Sequence, residues 1–352
     1  MPIRERAGAL APLAGVVLVL VAMLALREVA SLIVPVLFGL FLALVTMPLI
    51  GALERRGLRH SFALGIAILL ILGLVLLTAG IIALSIAELA AEIPRYQDRL
   101  EALLASLRDA LTSFGIAAAP NALPALISPE QIVALVRPVA SAASGAAGAI
   151  LILAFTMIYA ITGARGLQGR AETVFGERHA LLDGVERFGL DLRRYLLVRA
   201  QLGIFAAVLV LVLLIVLRVP FPALWAFLVF AASFIPNIGT FIALVPPTIL
   251  ALLDAGLVQA AAVVVGFTLV NFAQDYLLQP RLMGTELNLS PLVVFLSVIA
   301  WAWILGAAGA LLAVPLTVGL VAILEAFPAA RPIAALMRNK IETPTDRTPV
   351  TT

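Results

Sequence analysis

The sequence predicts an all-α integral membrane protein with about six transmembrane helices and two re-entrant helical hairpins, eight membrane segments with amphipathic helical inserts between them. Three observations carry this prediction. Hydrophobic residues fill 63% of the 352 positions and charged residues only 12%, against about 25% charged in a soluble domain. Charged residues divide the chain into eight long neutral runs. Two of those runs are too long for a single crossing, and both are broken near their middles.

Residues 1–87 form a scaffold of three spans, Ala7–Leu26, Val29–Leu53 and Ser61–Ala87, each near the roughly 20 apolar residues that a bilayer-crossing helix needs. Arg4 and Arg6 precede the first run as they would a secretory signal, but no small-x-small cleavage site follows, so it reads as an uncleaved span. Residues 88–137 form an extracytoplasmic insert. Within it Leu100, Leu103, Leu104, Leu107 and Leu111 make one apolar stripe, an amphipathic helix after Pro94. The fourth span falls within 138–164. A cytoplasmic link, 165–199, repeats the device with Leu181, Val185, Phe188, Leu192 and Tyr195. Either stripe is compatible with lying on the bilayer, packing on its own chain or joining subunits.

Residues 200–325 form the transport region: a span, a hairpin at 219–253, a second span and a hairpin at 287–324, followed by a cytoplasmic tail at 326–352. As one helix, Val219–Leu253 reaches about 52 Å, beyond a hydrocarbon core of about 30 Å. Pro236-Asn237-Ile238-Gly239 breaks this run, and Gly306-Ala307-Ala308-Gly309 breaks Leu287–Leu324. A hairpin that dips in and returns fits these lengths; a tilted, proline-kinked single helix is the competing reading. The two segments also echo each other, Val245-Pro246-Pro247-Thr248 against Val314-Pro315-Leu316-Thr317.

Sixteen basic residues fall on the side of the termini and six on the other, which places both termini in the cytoplasm of a bacterial inner-membrane protein. The absence of cysteine excludes disulfides, iron–sulfur clusters and thiolate zinc, and His60 and His179 make no metal site. A net charge of +3 with scattered arginines does not suit nucleic acid. No nucleophile–base pair or phosphate loop stands out, so the reading is a transporter and not an enzyme, with no cofactor and no metal.

Polar groups inside hydrocarbon need a reason. The break at Pro236, Asn237, Gly239 and Thr240 frees backbone groups and starts a new helix, whose positive end suits hydroxyl or anionic groups. Asn237 either binds such a group or caps its own helix. Asn271, Gln274 and Asp275 share a helical face and form, with Gly306 and Gly309, the rest of the candidate site. Asp275 is either a coupling acid or an interfacial acid near Arg281.

From Arg194 onward a series of motifs appears in order: Tyr195 with Arg199-Ala200-Gln201, Val219-Pro220, Phe234-Ile235-Pro236-Asn237-Ile238-Gly239, Pro246-Pro247, Leu278-Gln279-Pro280-Arg281-Leu282-Met283-Gly284, Leu289-Ser290-Pro291-Leu292, Trp303, Gly306, Gly309 and Ala313-Val314-Pro315-Leu316. In these the chain resembles the autoinducer-2 exporter family. The resemblance implies export of a small polar signal molecule, a substrate site built by two hairpins, an elevator-like motion and a homo-oligomer, a pentamer. Ala302, Ala307 and Gln279 depart from the family pattern, the last by lacking a frequent acid. Three functional readings follow: export of autoinducer-2 or a similar molecule, sodium/proton antiport through Asp275, and a non-transporting scaffold whose inserts recruit partners.

Overall fold

The apolar runs fold into helices whose ends ignore several of the charged residues that bound them in sequence. The computed structural model describes residues 15, 17–113, 148–163, 180–236, 238–282, 289–327 and 329–339. They form α1 (17–28), α2 (Ala30–Arg55), α3 (His60–Ser113), α4 (Gly148–Gly163), α5 (Ala180–Val216), α6 (Pro222–Ala232), α7 (Gly239–Ala255), α8 (Leu257–Phe272), a π-helical turn (Ala273–Leu278), α9 (Gln279–Leu282), α10 (Pro291–Leu305), α11 (Ala307–Ala326) and α12 (Arg331–Met337). Among the described residues there is no strand, only one isolated bridge between Leu289 and Arg338. Among the described residues, five segments are long and apolar enough to cross a membrane: Ala30–Arg55, His60–Leu103, Phe188–Val216, Leu257–Leu282 and Ala307–Ala326. The protein is therefore an all-α, multi-pass membrane protein.

Several boundaries differ from the sequence reading, among them the joint between the first two runs, which the helix crosses at Val29. α3 does not restart after Pro94 but runs unbroken through it, carrying the third span into the insert as one helix of 54 residues. The proline removes one backbone donor, and side-chain anchors on the following turns hold the helix in place. Likewise α5 joins the link and the fifth span. In both stripes the described apolar residues are buried in the chain's own interior or half-buried: Leu100 and Leu103, then Phe188, Leu192 and Tyr195. The side chains of Leu104, Leu107, Leu111, Leu181 and Val185 lie outside the described set.

The chain divides into two compact units. One comprises residues 1–64, 149–197 and 283–352. Here α1 and α2 are separated only by Val29, and hydrogen bonds from Val29 N to Ala25 O and from Ile33 N to Val29 O carry the helix across it. α2 crosses α4 closely at Gly39, where an added Cβ would meet Thr156 Cβ at 2.8 Å and Leu153 O at 2.9 Å. α10 and α11 pack together as a hairpin around Gly306, whose φ of 68° turns the chain. Trp301 Nε1 donates to the buried Thr317 Oγ1 at 3.1 Å within this hairpin. The Arg27 guanidinium lies 4.9 Å from the ring centroid of Trp303, within cation–π range. At the hairpin's other end Ser290 N donates to Met337 O, and Arg338 pairs with Glu325 at 2.6 Å.

The other unit comprises residues 65–148 and 198–282. Its core gathers Ile86, Leu89 and Tyr96 of α3, Ala206, Val210 and Leu214 of α5, Trp225 and Val229 of α6, Ala243 and Leu250 of α7, and Val263 and Phe267 of α8. α6 packs on α7 and α7 on α8. Between α5 and α6, Arg218 and Phe221 adopt positive φ. Trp225 Nε1, donating to Pro220 O at 2.9 Å, and the Gln259 amide, donating to Leu217 O, hold that turn.

Candidate functional site

The first hairpin is built by local chemistry. Pro222 opens α6 at a position where its missing N–H costs nothing. α6 ends at Ala232, and Pro236 disfavours helical conformation in the residue before it. Gly239 then opens α7, its N–H donating to Ile235 O at 3.1 Å. The apex is tight. A Cβ on Gly239 would stand 2.7 Å from the Ala232 carbonyl carbon and 3.3 Å from its Cα. The second hairpin uses the same device, since a Cβ on Gly309 would stand 2.6 Å from the Trp301 carbonyl carbon. In each case a glycine early in the second arm lets it touch the backbone at the end of the first. Gly306 and Gly309 thus shape the second apex, in the other unit, and Pro247 and Pro315 are fully buried in the respective second arms.

Around the first apex the structure brings together two of the expected polar residues. Thr240, at the start of α7, donates its hydroxyl to the Asn271 side-chain oxygen at 3.5 Å. The Asn271 amide donates in turn to Phe267 O at 2.9 Å on its own helix. Asn237 lies outside the described residues.

One turn beyond Asn271 the helix widens into the π-helical turn Ala273–Leu278. Pro280 explains it, because a proline clashes with the carbonyl four residues earlier and a wider turn moves that carbonyl aside. Gln274 is buried there, 7% exposed. Asp275 points outward and is exposed, so it does not share the burial of Gln274.

Sequence reasoning gave no role to Arg199, which it placed in the cytoplasmic link. Here Arg199 belongs to the membrane-crossing part of α5, and its Nη1 donates to the Ser233 carbonyl at the hairpin apex, 3.4 Å away. One turn later, Gly203 packs so closely that a Cβ would lie 2.5 Å from Ser233 Oγ and 3.2 Å from Phe230 O. The arginine preceding a neutral run was the available signal.

A second unforeseen cluster joins α3 to the end of α7. Tyr96 donates its hydroxyl to Asp254 Oδ2 at 3.2 Å, and the Arg99 guanidinium pairs with the same carboxylate. No three histidine, aspartate or glutamate side chains converge among the described residues.

Comparison with known proteins adds the context. Residues 13–329 match the family model described as AI-2E family transporter. The chain is 30% identical over 314 residues to the AI-2 transport protein TqsA of Escherichia coli K12, covering 89% of this chain and 91% of that one. It is 30% identical over 292 residues to the putative transport protein YhhT of the same organism, covering 83% and 84%. A putative transport protein of Haemophilus influenzae is 30% identical over 336 residues, covering 92% and 95%.

Proposed function

The chain belongs to the AI-2E transporter family, and from that premise we propose that it exports a small polar signalling molecule, autoinducer-2 or a close analogue, through a site at the apex of the first hairpin. The observation that carries this reading is the Thr240–Asn271 contact that closes the first apex, with the buried Gln274 following three residues along the same helix. Side-chain amides and a hydroxyl offer both donors and acceptors, which a hydroxyl-bearing substrate can match. Neutral side-chain amides and hydroxyls suit a polyhydroxylated cargo. Proton-coupled antiport needs a titrating acid at the site, and Asp275, the acid nearest Asn271 in sequence, is exposed.

Length supports re-entry of this hairpin. α6 has 11 residues, about 16 Å at 1.5 Å per residue, half of a bilayer core. The apex meets the long crossing Leu257–Leu282 at Asn271, and from there that crossing continues about 16 Å further. These lengths support an apex within the membrane's depth, where irregular backbone is tolerated only beside protein or a water-filled cavity. An elevator-like movement of the hairpin-bearing region, a pentameric homo-oligomer, an inner-membrane location and cytoplasmic termini complete the reading.

The test is uptake of labelled autoinducer-2 into inside-out vesicles. Saturable uptake by the wild-type chain, lost in Gln274→Leu with the protein still folded, is the expected result. Equal uptake by both removes the apex from the transport path.

A further inference from the structure

Arg199 is the last charge before the uncharged stretch of α5, within the segment long and apolar enough to cross a membrane, and a charge at such a place calls for a polar partner. Its position supplies one. The last carbonyls of a helix have no partner within that helix and carry its negative dipole end. In a membrane, water is not there to satisfy them. α6 ends at Ala232, Ser233 is its C-cap, and the Ser233 carbonyl accepts from Arg199 Nη1 at 3.4 Å. The Ser233 hydroxyl is directed to Phe230 O at 2.7 Å, so the arginine reaches the backbone and not the side chain.

The close approach has a second, independent support on the same face of α5. Gly203, four residues on, leaves no room for a methyl group against Ser233 and Phe230. Farther along that face Ala206, Val210 and Leu214 are all but fully buried in the core that α6 shares. α5 thus meets the end of α6 closely, and Arg199 stands where α6 stops and the chain turns toward Gly239 and Thr240. A planar guanidinium offers several donors in a fixed fork, which an ammonium does not.

We propose that Arg199 is a positioning residue of the transport site: by holding the C-terminal carbonyl end of α6 it fixes the apex of the first hairpin and pre-organises the start of α7 for substrate. The importance of the apex for transport rests on the function proposed above; the control of the apex by Arg199 does not. With the apex fixed beforehand, the substrate does not have to order it, so loss of Arg199 weakens binding more than it slows translocation.

The experiment uses the full chain with Arg199→Gln and Arg199→Lys. Amide hydrogen exchange in detergent reads the apex directly. In Arg199→Gln the segment 233–240 is expected to exchange about tenfold faster while 257–270 of α8 stays within about twofold of wild type, and Arg199→Lys falls between. In vesicles, with labelled autoinducer-2 as probe, Arg199→Gln is expected to raise KM about tenfold with Vmax within about twofold. Unchanged exchange at 233–240, or an equal rise in both segments, overturns the assignment whatever the transported molecule. A wild-type chain that takes up no autoinducer-2 overturns the proposed substrate alone, and exchange still decides the role of Arg199.

Discussion

Gly239→Ala puts a methyl group 2.7 Å from the Ala232 carbonyl carbon and 3.3 Å from its Cα, and nearer still to the carbonyl oxygen. Nonbonded carbons settle at about 3.5–4.0 Å, so the two arms must part by about 1 Å. The opposing atoms are backbone, and no rotamer change relieves them. Overpacking of this kind costs about 1–3 kcal/mol. Gly239 is the first residue of α7, so the advantage of alanine over glycine in a helix interior does not offset it. A loss of about 1–3 kcal/mol is small beside the total stability of a folded domain, so the protein folds. Transport is more sensitive, because a 1 Å displacement of site groups costs on the order of a hundredfold where geometry matters. Labelled autoinducer-2 uptake per folded protein and thermal unfolding in detergent measure both effects. Gly73→Ala and Gly80→Ala serve as controls, since their added Cβ atoms meet nothing within 4 Å. If Gly239→Ala transports like wild type and melts like those controls, the closed apex is refuted.

Gly309→Ala, 2.6 Å from the Trp301 carbonyl carbon and 2.8 Å from Leu305 Cβ, is expected to lower the melting temperature to a similar degree, read in the same unfolding assay. Thr240→Val removes the bond to Asn271, and the loss of about 0.5–1.5 kcal/mol should raise the KM of uptake about two- to tenfold without reducing the folded fraction. Arg99→Ala and Asp254→Ala each destabilise the protein. A double-mutant cycle should return a coupling of about 1 kcal/mol, because the pair is partly solvated. Asp275→Asn should leave uptake and its dependence on a proton gradient within about twofold; abolition of that dependence would restore the acid as a coupling group. Finally, a chain without native cysteine gives single-cysteine labelling no background. If both hairpins re-enter the membrane, Thr240→Cys and Ala308→Cys should both resist a membrane-impermeant maleimide. Ready labelling of Ala308→Cys would put the second apex at the membrane surface.

Much of this architecture was legible in the chain. The breaks at Pro236 and Gly306 appear as helix ends within a residue or a few, because proline and glycine act through local backbone sterics. The apolar stripes at Leu100 and Leu192 marked buried faces, since helical periodicity does not depend on the partner. Thr240 and Asn271 were named from composition and position. The sequence could not show that they bond, because they lie on different helices.

What the amino-acid order determined by itself was the solvent, the helical class, the points of interruption and the family. These depend on hydrophobicity and on dihedral preferences within a few residues. Tertiary structure decided the rest: that α3 continues through Pro94, secured by the Arg99 and Tyr96 contacts with Asp254; that a π-helical turn before Pro280 buries Gln274 and turns Asp275 outward; and that Arg199 reaches the end of α6. Each depends on groups brought together across dozens of residues or on a shift of one residue in helical register. Pattern along the chain is blind to both, because they arise only when whole helices pack.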